Sequence, residues 1–351
     1  MNKRERVIAA LNCQDTDRTP IYDLIRNDAV IEYFSGEKLD VSNPERTLYR
    51  AYNSYVDATK SNIRFPSVED RIKTIDGEEY VTKRWTDWKI KHEFYDYGRI
   101  EVKVIKKMQE LKAQRASPAA SVFKYMEDYN SKLELLSDAM IFHNAPIYGG
   151  GLYYTYSFCG GVDVFSYLKS DNEDLCEEFI NESFLNTLGY ISRIPSDYNP
   201  PAVIIAEDIG FNKGTLFSPA YLREVLFPRL KVIVEKYHER NIKVILHSDG
   251  DINPVLDDIV SCGFDGIHPV EIIAGMDIKE IRSKYPGLVL LGGVDCSQLL
   301  PFGKADEVYS VVKKNMQYAK YGYFAGSSSE INNVVPLENI LALYEAVGGI
   351  I

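Results

Sequence analysis

From residue 203 onward, short apolar runs alternate with longer stretches in which apolar residues recur every three or four positions. Short apolar runs are typical of buried parallel strands, and the three-and-four spacing is typical of amphipathic helices. The strand-like runs are 203–208, 243–247, 264–269, 288–295 and 322–329. The helical stretches that follow them are 218–241, 252–263, 277–287, 304–320 and 336–349. Strand–helix repeats of this kind predict parallel pairing with right-handed crossovers.

The first of these helices carries its own start signal. Ser218 is placed to cap the N-terminus, and Pro219 takes the first helical position. Pro228 falls inside the same apolar pattern and has no backbone N–H to donate, so we expect a kink there.

The first half of the chain adds three strand candidates, at 20–25, 56–62 and 140–146, which makes eight. Eight parallel strands predict an α/β fold, a (β/α)8 TIM barrel, with residues 1–351 as a single domain. A doubly wound sheet is the alternative, but no GxGxxG motif follows the first strand. We interpret the run Gly149–Gly151 as a loop.

Residues 66–107 interrupt the strand–helix pattern. The segments DRIKTIDGEEYVTKRWTDW, KHEFY and RIEVKVI alternate polar and apolar residues, with turn signals such as Asp76-Gly77 between them. We therefore predict an antiparallel β insertion, either a hairpin lid or an edge decoration.

Charge and composition exclude several classes of function. The net charge of −11, without a long Lys/Arg cluster, argues against a nucleic-acid partner. No apolar run is long enough to span a bilayer, and the apolar part of the start is too short for a signal peptide. The five cysteines are widely separated and lack a CxxC pair, which indicates a reduced cytoplasm.

The stretch KVILHSDG at 243–250 ends an apolar run on a histidine, with a carboxylate two residues later. His247 and Asp249 would point the same way, because side chains alternate along a strand. In a barrel, the C-terminal ends of all strands face one mouth, where barrel enzymes have their active sites. The polar residues at these ends are Asp23, His143, Glu207, Asp208, His247, Asp249, His268, Glu271, Asp295 and the run 328–330.

Imidazole and carboxylates on neighbouring strand ends suit zinc with an open coordination position. Covalent catalysis lacks a signature, because there is no GxSxG and no cysteine at a recognisable spacing from a histidine. Paired carboxylates for glycoside hydrolysis remain open. So does a metal-free mouth in which His247 and Asp249 bond to each other. Tyrosines of the 148–156 segment either line a pocket or pack in an ordinary way.

Several segments together resemble the uroporphyrinogen decarboxylase-like superfamily, which includes the zinc-dependent methylcobamide:thiol methyltransferases. The resemblance covers nearly the whole chain, most weakly over 66–115, and implies a (β/α)8 barrel. The matching segments are RERVIAALNCQDTDRTPI, GFNKGTLFSPAYLREVLFPRLKVI, HSDGDINPVLDDIVSCGFDGIHPVE, LLGGVD and VVPLENILALYEAV.

Departures from the family's patterns bear on the activity. The arginine-rich segment that grips tetrapyrrole carboxylates in uroporphyrinogen decarboxylases is reduced here to Arg26. In the thiol methyltransferases a cysteine stands where this chain has Asp249, and a second one where it has Ser329 or Glu330. The resemblance thus implies a site with more oxygen and less sulfur, which makes a thiol acceptor less certain.

The resemblance implies a methyltransferase that acts between methylcobamide on a corrinoid protein and a small-molecule donor or acceptor. We expect it to be cytoplasmic, and a homodimer is left open. Zinc would be held by His247, Asp249, Glu330 and Glu207, and the second nitrogen of His247 would donate to a carboxylate or carbonyl. Glu207, Asp208 and Asp249 are the expected catalytic carboxylates. The residues expected to line the substrate pocket are Asp23, Tyr148, Tyr153, Tyr156, His268 and Asp295.

Two alternatives stay open. The first is a decarboxylase for a tetrapyrrole or small carboxylic acid, in which Asp208 or Asp23 would stabilise a cationic intermediate. The second is a binding module that holds a corrinoid or tetrapyrrole without chemistry.

Overall fold

The computed structural model describes residues 1–67, 70–75, 78–91, 97–116, 119–136, 138–146 and 148–349. The strands are β1 (Ile25–Arg26), β2 (Ala58–Lys60), β3 (Arg71–Ile75), β4 (Glu78–Thr82), β5 (Asp87–Lys91), β6 (Met140–Asn144), β7 (Ala202–Ala206), β8 (Gly210–Phe211), β9 (Gly214–Thr215), β10 (Lys243–His247), β11 (Gly266–Val270), β12 (Val289–Val294), β13 (Tyr323–Ser327) and β14 (Ile331–Asn332).

Helices flank most of these strands. They are α1 (Lys3–Leu11), α2 (Asp28–Ser35), α3 (Glu45–Tyr55), α4 (Tyr97–Ala116), α5 (Ala119–Leu135), α6 (Leu152–Cys159), α7 (Val162–Asp171), α8 (Glu173–Ile191), α9 (Pro219–Tyr221), α10 (Phe227–His238), α11 (Leu256–Ser261), α12 (Ile278–Lys284), α13 (Leu299–Phe302), α14 (Ala305–Tyr318) and α15 (Leu337–Ala346). None of the helices within the described ranges is long and apolar enough to cross a membrane.

Seven strands form one parallel sheet in the order β13-β12-β11-β10-β7-β6-β2. Its two edges are joined by residues of the first predicted strand, because Ile21 bridges Ala325 of β13 and Tyr22 bridges Ala58 of β2. The sheet must curl for one short segment to reach both edges. This curled sheet with flanking helices is α/β and fits a TIM-like fold, as the sequence predicts.

The predicted eighth strand forms single bridges in place of a ladder, so no continuous ladder among the described residues closes the sheet. The reason lies in its backbone donors. Pro20 has no N–H, and the N–H of Ile21 donates to the Asp57 carboxylate at 2.9 Å. The remaining contacts include Tyr22 N to the Ala325 carbonyl at 3.0 Å and Ala58 N to the Ile21 carbonyl at 3.0 Å.

The inside of the curled sheet is filled by apolar side chains that alternate along the strands. Helix α1 closes the end opposite the strands' C-termini, because its residues Val7, Ala10 and Leu11 pack into this inner core. The other members are Tyr22, Ala58, Met140, Phe142, Ala202, Ile204, Ile245, Val289, Leu291 and Phe324. A larger apolar core lies between the sheet and the helices.

Residues 71–91 form the predicted antiparallel insertion, with strand order β3-β4-β5. It docks on the start of α2, where Asp28 accepts from Trp85 Nε1 at 2.8 Å and from Arg84 Nη2 at 2.6 Å. The predicted turn at Asp76-Gly77 and most of the predicted KHEFY strand, residues 92–95, lie outside the described residues.

The prediction that RIEVKVI continues the insertion as a strand is wrong, because these residues belong to helix α4. Over seven residues the segment alternates like a strand. Over a longer window the buried positions Ile100, Val104, Met108 and Leu111 recur at helical spacing, and they pack in the outer core.

The predicted helix from residue 218 is confirmed with its signals. Ser218 Oγ accepts from Tyr221 N at 3.2 Å, as an N-cap does. A π-helical turn at Leu222–Leu226 precedes Pro228, and α10 continues beyond it. The π-helical turn is wider than an α-helical one, so it leaves room for the ring of Pro228, which also lacks an N–H to donate. This is the local irregularity expected at a proline kink.

We predict that Asp57→Asn lowers the free energy of unfolding by about 3–5 kcal/mol, because the fully buried Asp57 carboxylate pairs with two arginines. Arg6 Nη1 lies at 2.6 Å and Arg18 Nη1 at 2.8 Å from its oxygens. Urea unfolding measures the change. The matched control is Glu37→Gln, which removes exposed pairs with two arginines and should cost less than about 1 kcal/mol. Equal losses in the two variants would contradict a structural role for Asp57.

Candidate functional site

The C-terminal ends of β7 and β10 bring three polar residues together. His247 ends β10 and is level with Ala206 of β7 and with His268 of β11. One ligand atom from each of Asp208, His247 and Asp249 lies within 4.8 Å of the others. We call these three residues the mouth triad. His247 Nε2 faces Asp208 Oδ1 at 3.9 Å.

The ring of His247 pairs with that of His268. Their Nδ1 atoms are 2.7 Å apart and their ring centroids 4.9 Å apart, nearly stacked. One hydrogen-bonding proton lies between two such nitrogens, so one ring donates and the other accepts. The second nitrogen of His247, which we expected to bond to a carboxylate or a carbonyl, has this second imidazole as its partner. When His247 Nδ1 is the donor, its Nε2 keeps a free lone pair that faces Asp208.

Burial keeps both rings neutral. It lowers the pKa of His247 well below the usual value, and Lys60 lowers it further, although a hydrogen bond with the backbone of His268 opposes this shift. Burial and the charges of His247 and Lys60 likewise lower the pKa of His268. Neutral imidazole is the form that binds metal ions.

The two aspartates of the mouth triad repel each other. Burial raises the pKa of Asp208, although the backbone N–H of Asp249 donates to it at 3.2 Å. Burial, Asp208 and Glu271 raise the pKa of Asp249 to about 7, although part of this side chain reaches solvent. Two carboxylates in this position favour a cation or a proton between them.

Two of the three tyrosines predicted to line the pocket contact Asp208. A hydrogen bond with Tyr153 lowers the pKa of that carboxyl, and Tyr156 Oη donates to the Asp208 carbonyl at 2.5 Å. The rings of Tyr153 and Tyr156 pack edge to face with centroids 5.4 Å apart. Tyr148 instead donates to Gln114 Oε1 of helix α4 at 3.1 Å, so its described partner belongs to a flanking helix.

Glu207 holds a neighbouring loop. It is fully buried, and its oxygens accept from Gly150 N and from Tyr153 N, the latter at 3.0 Å. Gly149 has a φ of +46°, and a Cβ there would lie 2.5 Å from Glu207 Oε1. The glycine run is indeed a loop, and it is shaped to admit this carboxylate. Glu207, expected as a metal ligand and catalytic carboxylate, is not a member of the mouth triad, and its described hydrogen bonds go to this loop.

Glu330, expected as a metal ligand, forms an ion pair with Arg26. Arg26 is the one arginine left of the family's arginine-rich segment, and its charge is neutralised by this ion pair. The third member of the mouth triad is Asp208, which we had predicted as a catalytic carboxylate and not as a metal ligand.

Asp23 and Asp295, which we expected to line the substrate pocket, accept hydrogen bonds from backbone N–H groups near the mouth. Asp23 accepts from Ser327 N at 3.0 Å and from its Oγ at 2.6 Å, and burial raises the pKa of Asp23 to about 7. Asp295 accepts from three successive backbone donors, Ser297, Gln298 and Leu299. Burial alone would raise the pKa of Asp295, but these bonds hold it below its usual value.

His143 lies on the outer side of the sheet. Its Nδ1 is 2.6 Å from Tyr198 Oη, and its ring stacks on Tyr129 of α5 with centroids 4.4 Å apart. Met140 and Phe142 of the same strand point inward, so His143 must point outward. Its inclusion among the mouth residues is therefore wrong.

Lys60, the last residue of β2, also belongs to the mouth and was not predicted from the sequence. Its charge acts on Asp208 and Asp249 and on both rings of the histidine pair. Lys60 lies in the predicted strand 56–62, so its place near a strand end could be read from the sequence. Only acids and histidines at the strand ends were taken as candidates there, and cations were not.

Comparisons with known proteins give a family and a fold. The family model "Uroporphyrinogen decarboxylase (URO-D)" matches residues 169–350, which confirms the resemblance found in the sequence. No curated protein sequence matches the chain. Among solved structures, a methyltransferase from Methanosarcina mazei aligns over 99% of this chain and 98% of its own, with a TM-score of 0.63 and 18% sequence identity. At that identity the likeness concerns the fold.

The burial of Glu207 predicts a pH dependence of stability. Burial raises the pKa of Glu207 to about 8 in the folded protein, against about 4.3 in an unfolded chain. Between these pH values the folded state binds more protons, so the free energy of unfolding should fall as pH rises, by at most about 1.4 kcal/mol per pH unit from this group.

Glu207→Gln does not titrate, so urea unfolding from pH 5 to 8 should show a shallower decline for this variant than for the wild type. Glu224→Gln, at an exposed helical glutamate, is the control and should keep the wild-type decline. The same slope in all three proteins would refute the shifted pKa of Glu207.

Proposed function

This chain belongs to the uroporphyrinogen decarboxylase family, and we propose that it is a methyltransferase that moves a methyl group between a corrinoid protein and a small-molecule donor or acceptor. The observation that carries the proposal is the mouth triad, with its neutral imidazole and two carboxylates around one point. The fold shared with the Methanosarcina mazei methyltransferase adds support.

The residues of the mouth triad fit a zinc ion. His247 offers a lone pair on Nε2 when its Nδ1 donates to His268, and two aspartates match the ion's charge of +2. Three protein ligands with a fourth, open position are the usual donor set of catalytic zinc. We propose Asp208, His247 and Asp249 as this set, in place of the set expected from the sequence. When bound, zinc would polarise the heteroatom that carries or receives the methyl group.

The surrounding residues position these groups. His268 fixes which nitrogen of His247 carries the proton, as partners of metal-binding histidines do. Tyr153 and Tyr156 hold the carboxylate and the carbonyl of Asp208.

Charge at the mouth argues against a tetrapyrrole with many carboxylates. Arg26 is already paired with Glu330, and the ammonium group of Lys60 can match one carboxylate but not the many of a tetrapyrrole, which Asp208 and Asp249 would repel. We therefore place decarboxylation second. The five cysteines are free thiols, in line with the proposed cytoplasmic location.

Zinc binding tests the proposed ligand set. After chelator treatment, calorimetric titration should show one tightly bound zinc per wild-type chain. His268→Ala should weaken binding about 10–100-fold, as loss of a supporting hydrogen bond does, and His247→Ala and Asp208→Ala should weaken it more. Glu330→Ala is the control and should bind like the wild type within about 3-fold. Absent binding in the wild type, or loss only in Glu330→Ala, would overturn this site.

Activity tests the reaction. The wild type, given reduced cobalamin and a panel of methanol, methylamines, methoxyarenes and methyl thioethers, should form methylcobalamin from at least one donor, measured by chromatography. His247→Ala should reduce the rate by on the order of 100-fold or more, as removal of a group that stabilises the transition state does. A parallel incubation with uroporphyrinogen separates the alternative, because CO2 release without methylcobalamin would identify a decarboxylase.

A further inference from the structure

We propose that Lys60 is the anion-binding residue of the mouth and that the small-molecule substrate carries a carboxylate held by its ammonium group. The inference deepens the proposed function by naming a substrate class, and it rests on that function for the mouth being the substrate site.

The position follows from the strand. Lys60 ends β2, level with Phe142 of β6, and stands two residues beyond Ala58, whose side chain belongs to the inner core. Side chains two apart on a strand share a face, so Lys60 also points to the inside of the curled sheet. There it faces the C-terminal opening, across from Asp208 and Asp249, whose pKa values it lowers.

The ammonium group of Lys60 has no partner. Within the part of the chain that the structure describes, Nζ makes no hydrogen bond and no ion pair within 4.0 Å. The side chain is half-buried, and loss of water lowers the pKa of Lys60, with a further contribution from the charge of Arg26. A cation drawn out of water without a counter-ion is costly, so a bound anion would restore the lost interaction.

Neighbouring carboxylates have other commitments. Glu330 pairs with Arg26, and Glu271 Oε2 accepts from Gly250 N at 2.5 Å. Asp208 and Asp249 share the proposed metal ion, or a proton when the ion is absent. Because these four carboxylates already have partners, the positive charge of Lys60 is left without a counter-ion at the mouth. One lysine matches one carboxylate, which fits a small monoanion.

The simplest competing explanation is that Lys60 only offsets the charges of Asp208 and Asp249. In that case it would not discriminate between an anionic ligand and a neutral one of the same shape. Each carboxylate therefore needs to be compared with its primary amide, which keeps the shape and removes the charge.

The experiment titrates acetate, benzoate, methoxyacetate and 4-methoxybenzoate, each beside its amide, into zinc-loaded protein by calorimetry. At least one carboxylate should bind the wild type about 10-fold or more tighter than its amide, as expected for a charge-assisted hydrogen bond. Lys60→Met and Lys60→Gln should bring that ratio to within about 2-fold, and Lys60→Arg should retain most of it.

Lys243→Met is the matched control and should keep the wild-type ratio. Lys243 also lies in a strand of the sheet, but it starts β10 and pairs with Asp265 at 2.8 Å. If Met does not fold at position 60, as judged by thermal unfolding, the Gln and Arg variants decide the comparison.

Two results would overturn the proposal. One is that no carboxylate binds the wild type better than its amide, and the other is that the preference persists in Lys60→Gln. These results are independent of the methyl-transfer assay. A carboxylate preference without any methyl transfer would keep Lys60 as an anion site and reject the proposed reaction, and methyl transfer without the preference would do the reverse.

Discussion

The curl of the parallel sheet depends on the short segment 20–23, which joins its two edges. Its backbone bonds to Ala325 on one side and to Ala58 on the other. Two buried carboxylates reinforce the junction, because Asp57 binds the N–H of Ile21 and Asp23 binds Ser327. Without this junction the sheet would lie open, and the ends of β2, β7 and β10 would not face one another. The mouth triad and Lys60 therefore rely on contacts made at the first strand position.

Much of the fold could be predicted because buried strands and amphipathic helices have distinct periods. The strand at 243–247 was predicted at its observed bounds, and the edge-joining segment fell where a strand was expected. The helix at 97–116 was missed, because a window of seven residues fits either period. The first predicted strand forms no ladder for a local reason. Pro20 has no backbone N–H, and the N–H of Ile21 is bound by the side chain of Asp57.

Site residues were harder to assign, because a carboxylate at a strand end looks the same in sequence whether it faces the mouth or supports a loop. Side-chain parity would have settled some cases. Met140 and Phe142 point inward, so His143, which lies between Phe142 and the end of the same strand, does not. Ala58 also points inward, so Lys60, two residues further along β2, points inward as well. Parity fails beyond the strands, where Asp295 turns back onto its own loop and Glu330 meets Arg26, and these contacts depend on tertiary structure.

Helix α1 closes one end of the curled sheet. Its residues Val7, Ala10 and Leu11 fill the end opposite the mouth, so among the described residues the opening that leads to the mouth triad is at the strands' C-termini. A large corrinoid protein that delivers or collects a methyl group would have to cover the same opening. If the proposed function holds, the two partners could not arrive in either order. The small molecule would then enter first and its product would leave last, which is a compulsory-order kinetic scheme.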